Sequence, residues 1–147
     1  MPDGSSGIYI DSSALAKLYF PEPESDVLDD FVKGRQDLII SELAITEVIS
    51  AVARKRREKL LRPKQANDIR DAILADAASG SLRLQDLNPA VHRDAERMLL
   101  STDSVPLRTL DALHVALALR AGANRLITFD TRMASAGALH GLQTVEF

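Results

Sequence analysis

The sequence predicts a three-layer α/β/α fold in which helices cover both faces of a largely parallel five-stranded sheet. Two observations predict it. Five short apolar runs alternate with helical patterns along the chain, the arrangement that parallel strand–helix–strand crossovers produce. No repeat, low-complexity segment or linker interrupts them. The length of 147 residues is enough for one core burying roughly 70% of the unfolded surface, so residues 1–147 read as a single domain.

Ile8-Tyr9-Ile10 is a buried-type strand that stops at Asp11-Ser12-Ser13, and Ala14 to Phe20 reads as a helix halted by Pro21. Ser25 to Val32 forms a second helix, with Val27, Leu28, Phe31 and Val32 on one side and Gly34 as its stop. Leu38-Ile39-Ile40 is the second strand. After Ser41 a long helix runs through Leu43, Ala44, Val48, Ile49 and Val52 into a basic stretch, and Pro63 starts a fourth helix whose stripe is Ala66, Ile69, Ile73 and Ala77. Ser79-Gly80-Ser81 ends that helix, and Leu82-Arg83-Leu84 is a short third strand. Asn88 is suited to cap, and Pro89 to open, a helix reaching about Leu100. Arg108 to Arg120 is apolar nearly all round and is closed by Gly122. Leu126 to Phe129 is the fourth strand, ending at Asp130; Thr131 to Leu139 is a short helix, and Leu142–Val145 the last strand.

The absence of cysteine excludes thiol catalysis, thiolate zinc sites and disulfides, and fits a reducing compartment. No apolar run approaches the roughly 20 residues of a membrane span, and Met1–Gly7 lacks the basic start of a signal peptide. A cytoplasmic protein without membrane contact is expected. A net charge of −3 argues against holding nucleic acid by bulk charge. Any such contact is local, and Arg54 to Lys64 is the only dense basic run.

Ligand sites of open parallel sheets lie outside the carboxyl ends of the strands, near the switch in strand order. Asp11 and Asp130 each stand at such an end, although each also precedes a helix and is suited to cap it. Asp111 lies in Leu110-Asp111-Ala112-Leu113-His114-Val115-Ala116-Leu117, where nearly every other side chain must be buried. An uncompensated buried carboxylate costs several kcal/mol, so a cation, donors or a shifted pKa are required. Glu47, with Leu43 and Ala51 one turn to either side, tilts toward the interior. Four acids converging at about 6 Å repel by roughly 3 kcal/mol per pair at an effective dielectric of about 20, on the order of 15 kcal/mol in total. An oxygen-only set with open positions suits Mg²⁺ or Mn²⁺.

At this point the chain resembles PIN-domain ribonucleases, and more narrowly VapC-type toxins of type II toxin–antitoxin pairs. The resemblance covers nearly the whole length. It rests on Ile10-Asp11-Ser12-Ser13-Ala14-Leu15, Thr46-Glu47-Val48, Leu110-Asp111-Ala112-Leu113-His114 and Thr128-Phe129-Asp130-Thr131-Arg132. It implies that Asp11, Glu47 and Asp111 are the main metal-site acids, with Asp130 the fourth, and that Ser13 and Thr128 hydrogen-bond in the site. It also implies metal-dependent cleavage of RNA to a 5′-phosphate and a free 3′-hydroxyl, a parallel five-stranded sheet, a homodimer, and a VapB-like antitoxin whose tail lies in the active-site groove.

His114 lies one turn from Asp111 and reads as a packed histidine bonded to a neighbouring acid or carbonyl rather than a catalytic base. The basic run, Arg54 foremost, either tracks an RNA backbone or complements a helix dipole. Arg132, two residues after Asp130, either contacts a phosphate or is solvated. The alternative to an enzyme is a catalytically silent PIN-like RNA- or protein-binding module. A phosphohydrolase of small molecules or a flap-type DNA nuclease would share the metal chemistry, but neither a phosphate-cradling glycine loop nor an aspartyl nucleophile motif is visible.

Overall fold

The computed structural model describes residues 7–147; the stretch Met1–Ser6, on which part of the signal-peptide reading falls, lies outside the described residues. Five strands, β1 (Gly7–Ile10), β2 (Leu38–Ser41), β3 (Arg83–Gln85), β4 (Ala123–Ile127) and β5 (Gln143–Thr144), form one sheet in the order β3-β2-β1-β4-β5 with every pairing parallel. The helices are α1 (Ser12–Tyr19), α2 (Ser25–Val32), α3 (Glu42–Arg57), α4 (Pro63–Ser79), α5 (Pro89–Ser101), α6 (Thr109–Arg120) and α7 (Thr131–Leu139).

Successive strand residues point to opposite faces, and the two cores follow that alternation. Ile8, Ile10, Leu38, Ile40 and Ile127 pack with Ala14, Leu15, Leu28, Val48, Val52 and Ile73 from α1 to α4. Tyr9, Ile39 and Leu126 pack with Val91, Ala95, Ala112 to Ala118, Met133 and Ala136 from α5, α6 and α7. The sheet is therefore covered on both sides, and its central strands read as continuous apolar runs because neither face meets water. Helix α6 is buried from Asp111 to Ala118, which explains why its sequence shows no polar face.

Local chemistry sets the element ends. Ser41 and Asn88 cap α3 and α5 by accepting from the amides of Ala44 and Val91. Gly80 and Gly122 take φ of 86° and 80° just past α4 and α6, a left-handed conformation that glycine adopts without steric cost. Strand β4 begins three residues before the expected Leu126 and stops at Ile127, so Thr128 and Phe129 leave the ladder. Strand β3 starts at Arg83, and the edge strand β5 shrinks to two residues. Strand order reverses between β1 and β4, and the Asp11 amide donates to Ile127 O at 3.2 Å where the two strands part. This switch point is where the topology opens a crevice.

Candidate active site

The crevice holds a cavity of about 630 Å³ whose lining includes Asp11, Glu47, Asp111 and Asp130, together with Arg108 and His114. Each acid arrives by a different local device. Asp11 ends β1 and caps α1 through the Ala14 amide at 3.1 Å. Asp130 follows β4 and caps α7, its Oδ1 accepting from the amides of Arg132 and Met133 at 2.9 and 3.3 Å. Asp111 sits in the first turn of α6, where an acid complements the helix dipole, and Glu47 lies in the second turn of α3. The capping reading and the site reading of Asp11 and Asp130 thus describe the same two residues.

Asp11 is 3% exposed, and burial pushes its carboxyl above the usual carboxylate range against the opposing pull of its donors. Those donors are Thr128 Oγ1 to Oδ2 at 2.5 Å and Ser13 Oγ to Oδ1 at 2.7 Å. Both hydroxyls accept in turn from the loop after β4, Ser13 from the Phe129 amide at 2.9 Å and Thr128 from the Asp130 amide at 3.0 Å. Ser13 and Thr128 therefore tie the end of β1 to the end of β4, and Asp11 is held rigidly between them.

The other acids are partly compensated by side chains. Arg108 Nε lies 3.5 Å from Asp111 Oδ2, and its Nη2 lies 3.8 Å from Asp130 Oδ2. The first approach is an attraction without hydrogen-bond geometry, so Asp111 Oδ2 remains a buried oxygen with no donor among the described residues. His114, 4% exposed, meets Glu47 Oε1 through Nε2, the histidine–acid pairing expected of a packed ring. Among the described residues no three acidic or histidine side chains already stand close enough to enclose a metal ion. Arg108 thus offsets part of the charge of Asp111 and Asp130, and the His114 ring hydrogen-bonds Glu47.

Of the two arginines singled out in the sequence, Arg54 lines an adjoining groove with Ser13, Lys17, Glu47 and Phe129. Arg132 is exposed at the start of α7 and does not line the acidic cavity. Further along the basic run, Arg56, Lys59 and Arg62 line a separate hollow. Arg108 was not anticipated; its position three residues before Asp111, one helical turn, was the available signal.

The family model for the PIN domain matches residues 8–139, a span that includes all four acids. The chain belongs to the PIN-domain family. Within that family it is 34% identical to Ribonuclease VapC46 of Mycobacterium tuberculosis over 142 residues, covering 95% of this chain and 97% of the relative. It is 29% identical to Ribonuclease VapC3 of Pyrobaculum aerophilum, covering 86% and 92%. The PIN fold superposes on the M. tuberculosis toxin VapC20, described as cleaving the Sarcin-Ricin loop, with a TM-score of 0.69 at 18% identity, covering 89% of this chain and 95% of that one. A toxin–antitoxin complex from Klebsiella pneumoniae matches with a TM-score of 0.65 at 17% identity, covering 97% and 100%. No helix among the described residues of this PIN protein is long and apolar enough to cross a membrane.

Proposed function

We propose that this PIN-domain protein is a metal-dependent endoribonuclease, the toxin of a toxin–antitoxin pair, with Asp11, Glu47, Asp111 and Asp130 as its metal-site acids and Mg²⁺ or Mn²⁺ as its cofactor. The observation that carries the reading is a set of four carboxylates at the switch point, including a buried Asp111 oxygen that no donor among the described residues satisfies. Such a set fits a hard divalent cation, and Arg108, 55% exposed, can withdraw from Asp111 and Asp130 to admit it. A bound divalent ion would lower the pKa of a water and neutralise the scissile phosphate oxygens.

The chain's own residues do the rest. Asp11 is the fixed ligand, since Ser13, Thr128 and the Ala14 amide hold it. Asp111 and Glu47 complete the set from α6 and α3. Asp130, with Oδ1 engaged in its cap, keeps Oδ2 to orient or deprotonate the attacking water. Arg54 supports an RNA phosphate in the adjoining groove, a role for which the exposed Arg132 is less well placed. The relatives named ribonuclease and the matched toxin–antitoxin complex support an RNA substrate and a VapB-like antitoxin. A homodimer, the cytoplasm and one domain over residues 1–147 complete the proposal.

The test is to incubate the protein with structured RNA, single-stranded DNA and duplex DNA, with Mg²⁺, Mn²⁺ or EDTA, while recording thermal unfolding. RNA is expected to be cut only with metal, and metal should raise the unfolding midpoint. A flat thermal response and intact RNA would favour a silent binding module; preferential cutting of DNA would displace the ribonuclease.

A further inference from the structure

On the α6 face of the sheet, polar side chains from four elements join into one buried chain. The Ala44 amide donates to Ser41 Oγ at 3.0 Å, and Ser41 Oγ lies 2.7 Å from Tyr9 Oη. Tyr9 Oη lies 2.6 Å from His114 Nδ1, and His114 Nε2 meets Glu47 Oε1. The parallel register explains the meeting: Tyr9 pairs with Ile39, and Ser41, two residues on, shares the face of Ile39. The ring of His114 leans on that of Tyr9 with centroids 5.7 Å apart, so packing and hydrogen bonding fix the same geometry.

The protons in this chain have one arrangement that leaves no buried group orphaned. Ser41 Oγ accepts the Ala44 amide, and among the described residues its own proton has only Tyr9 Oη as acceptor; Tyr9 then donates to Nδ1, and Nε2 carries the ring proton toward the carboxylate. Reversing the order sends the Tyr9 proton to Ser41. The hydroxyl hydrogen of Ser41, a fully buried residue, then has no acceptor among the described residues, and in a neutral ring the bare Nε2 faces an acid. The same two sites filled with phenylalanine and leucine would give a simpler core, since Tyr9 is 0% and His114 4% exposed.

We infer that Ser41, Tyr9 and His114 are positioning residues, a lock that holds His114 as the Nε2–H tautomer and thereby fixes Glu47 in the acidic cavity. Glu47 enters the cavity from a helix with its side chain 26% exposed, and without a tether it samples several rotamers. With Oε1 bound to His114, Oε2 is left for a ligand in the cavity, which restricts the orientation of Glu47 toward a cation. The purpose of the lock rests on the nuclease reading of the cavity.

Nitrogen NMR of ¹⁵N-histidine-labelled, metal-free protein reads the tautomer directly. His114 is expected to show a bare Nδ1 and a protonated Nε2; a protonated Nδ1 in the wild type would overturn the lock. Titrating Mn²⁺ against the unfolding midpoint should show binding weakened about tenfold to a hundredfold in Tyr9→Phe and His114→Leu, with kcat falling similarly and KM for RNA within about twofold. His114→Gln, whose amide can donate to Glu47, should recover much of the loss. Folded Tyr9→Phe and His114→Leu proteins that bind Mn²⁺ and cut RNA like the wild type overturn the inference while leaving the nuclease intact. A wild type indifferent to both Mn²⁺ and RNA overturns both readings together.

Discussion

The two ends of the sheet carry cavities of similar size and opposite character. At the amino ends of β2 and β3 a hollow of about 720 Å³ is lined by Tyr19, Asp29, Arg35, Asp76 and Leu82 among others; at the carboxyl ends of β1 and β4 the acidic cavity measures about 630 Å³. In the larger hollow the half-buried charges of Arg35 and Asp76 have partners, and Asp29 is exposed to water. Tyr19 donates to Asp76 at 2.5 Å, and Arg35 reaches both oxygens of Asp37 at 3.0 and 3.1 Å while lying 4.7 Å over the ring of Phe31. In the acidic cavity Asp111 Oδ2 has no donor among the described residues, and burial raises the Asp11 carboxyl above the ordinary carboxylate range. Volume alone would rank the two ends wrongly, whereas charge left uncompensated separates a site from a surface hollow.

The comparison is broken most decisively by matched substitutions at the two ends. Asp111→Asn should lower metal-dependent RNA cleavage by at least about 100-fold, the loss of a few kcal/mol of transition-state stabilisation. Asp76→Asn, an equal change in charge at the far hollow, should leave cleavage within about twofold. Single-turnover cleavage in Mn²⁺ measures both, and comparable losses from the two variants would erase the distinction between the ends.

A smaller effect, in the metal-free protein, has its sign set by Asp11. Its folded-state pKa is raised by burial, so as pH rises from about 3.8 the unfolded chain gives up its proton first and stability falls until the folded pKa is passed. Above that point the cost is fully present. Asp11→Asn keeps a capping oxygen and removes this dependence, so it should be more stable than the wild type in EDTA at neutral pH, with the gain shrinking toward pH 4. Urea unfolding across that range checks the sign, and saturating Mn²⁺ should reverse it by stabilising only the wild type.

The sequence made the acids legible because their signal is local: Asp11 and Asp130 end apolar runs, and Asp111 interrupts an apolar helix. The two-sided cover of the sheet was legible for the same reason, as short apolar runs alternating with helical patterns, although the length suggested one core and the sheet divides it into two. What compensates the acids was not, because compensation is a matter of long-range approach. Arg108 gains its role only when α7 brings Asp130 beside the first turn of α6. Tyr9 reads as core packing, which its ring is; its hydroxyl finds Ser41 and His114 only through the β1–β2 register and the docking of α6. Strand limits were blurred at Thr128 and Phe129, where the Thr128 hydroxyl and the Phe129 amide bond to Asp11 and Ser13 rather than to the sheet.

The smallest expected effect tests whether the two ends are independent. Helix α1 spans them: Asp11 and Ser13 stand at its start, and Tyr19 is its last residue, some 12 Å away at about 1.5 Å per residue. Tyr19→Phe deletes the hydrogen bond to Asp76, half-buried and to an acid, and should cost about 1 kcal/mol, a fall of roughly 2–4 °C in unfolding midpoint. The start of α1 is fixed separately, by Asp11 and Ser13 bonding to Thr128 and the Phe129 amide, so the loss should stay at the far end. Cleavage by Tyr19→Phe measured beside the wild type should therefore agree within about twofold, since interactions this far apart with no shared partner add independently. A larger fall in cleavage at unchanged Mn²⁺ affinity would show that α1 transmits strain from the hollow to Asp11, and the two ends would have to be treated as one coupled unit.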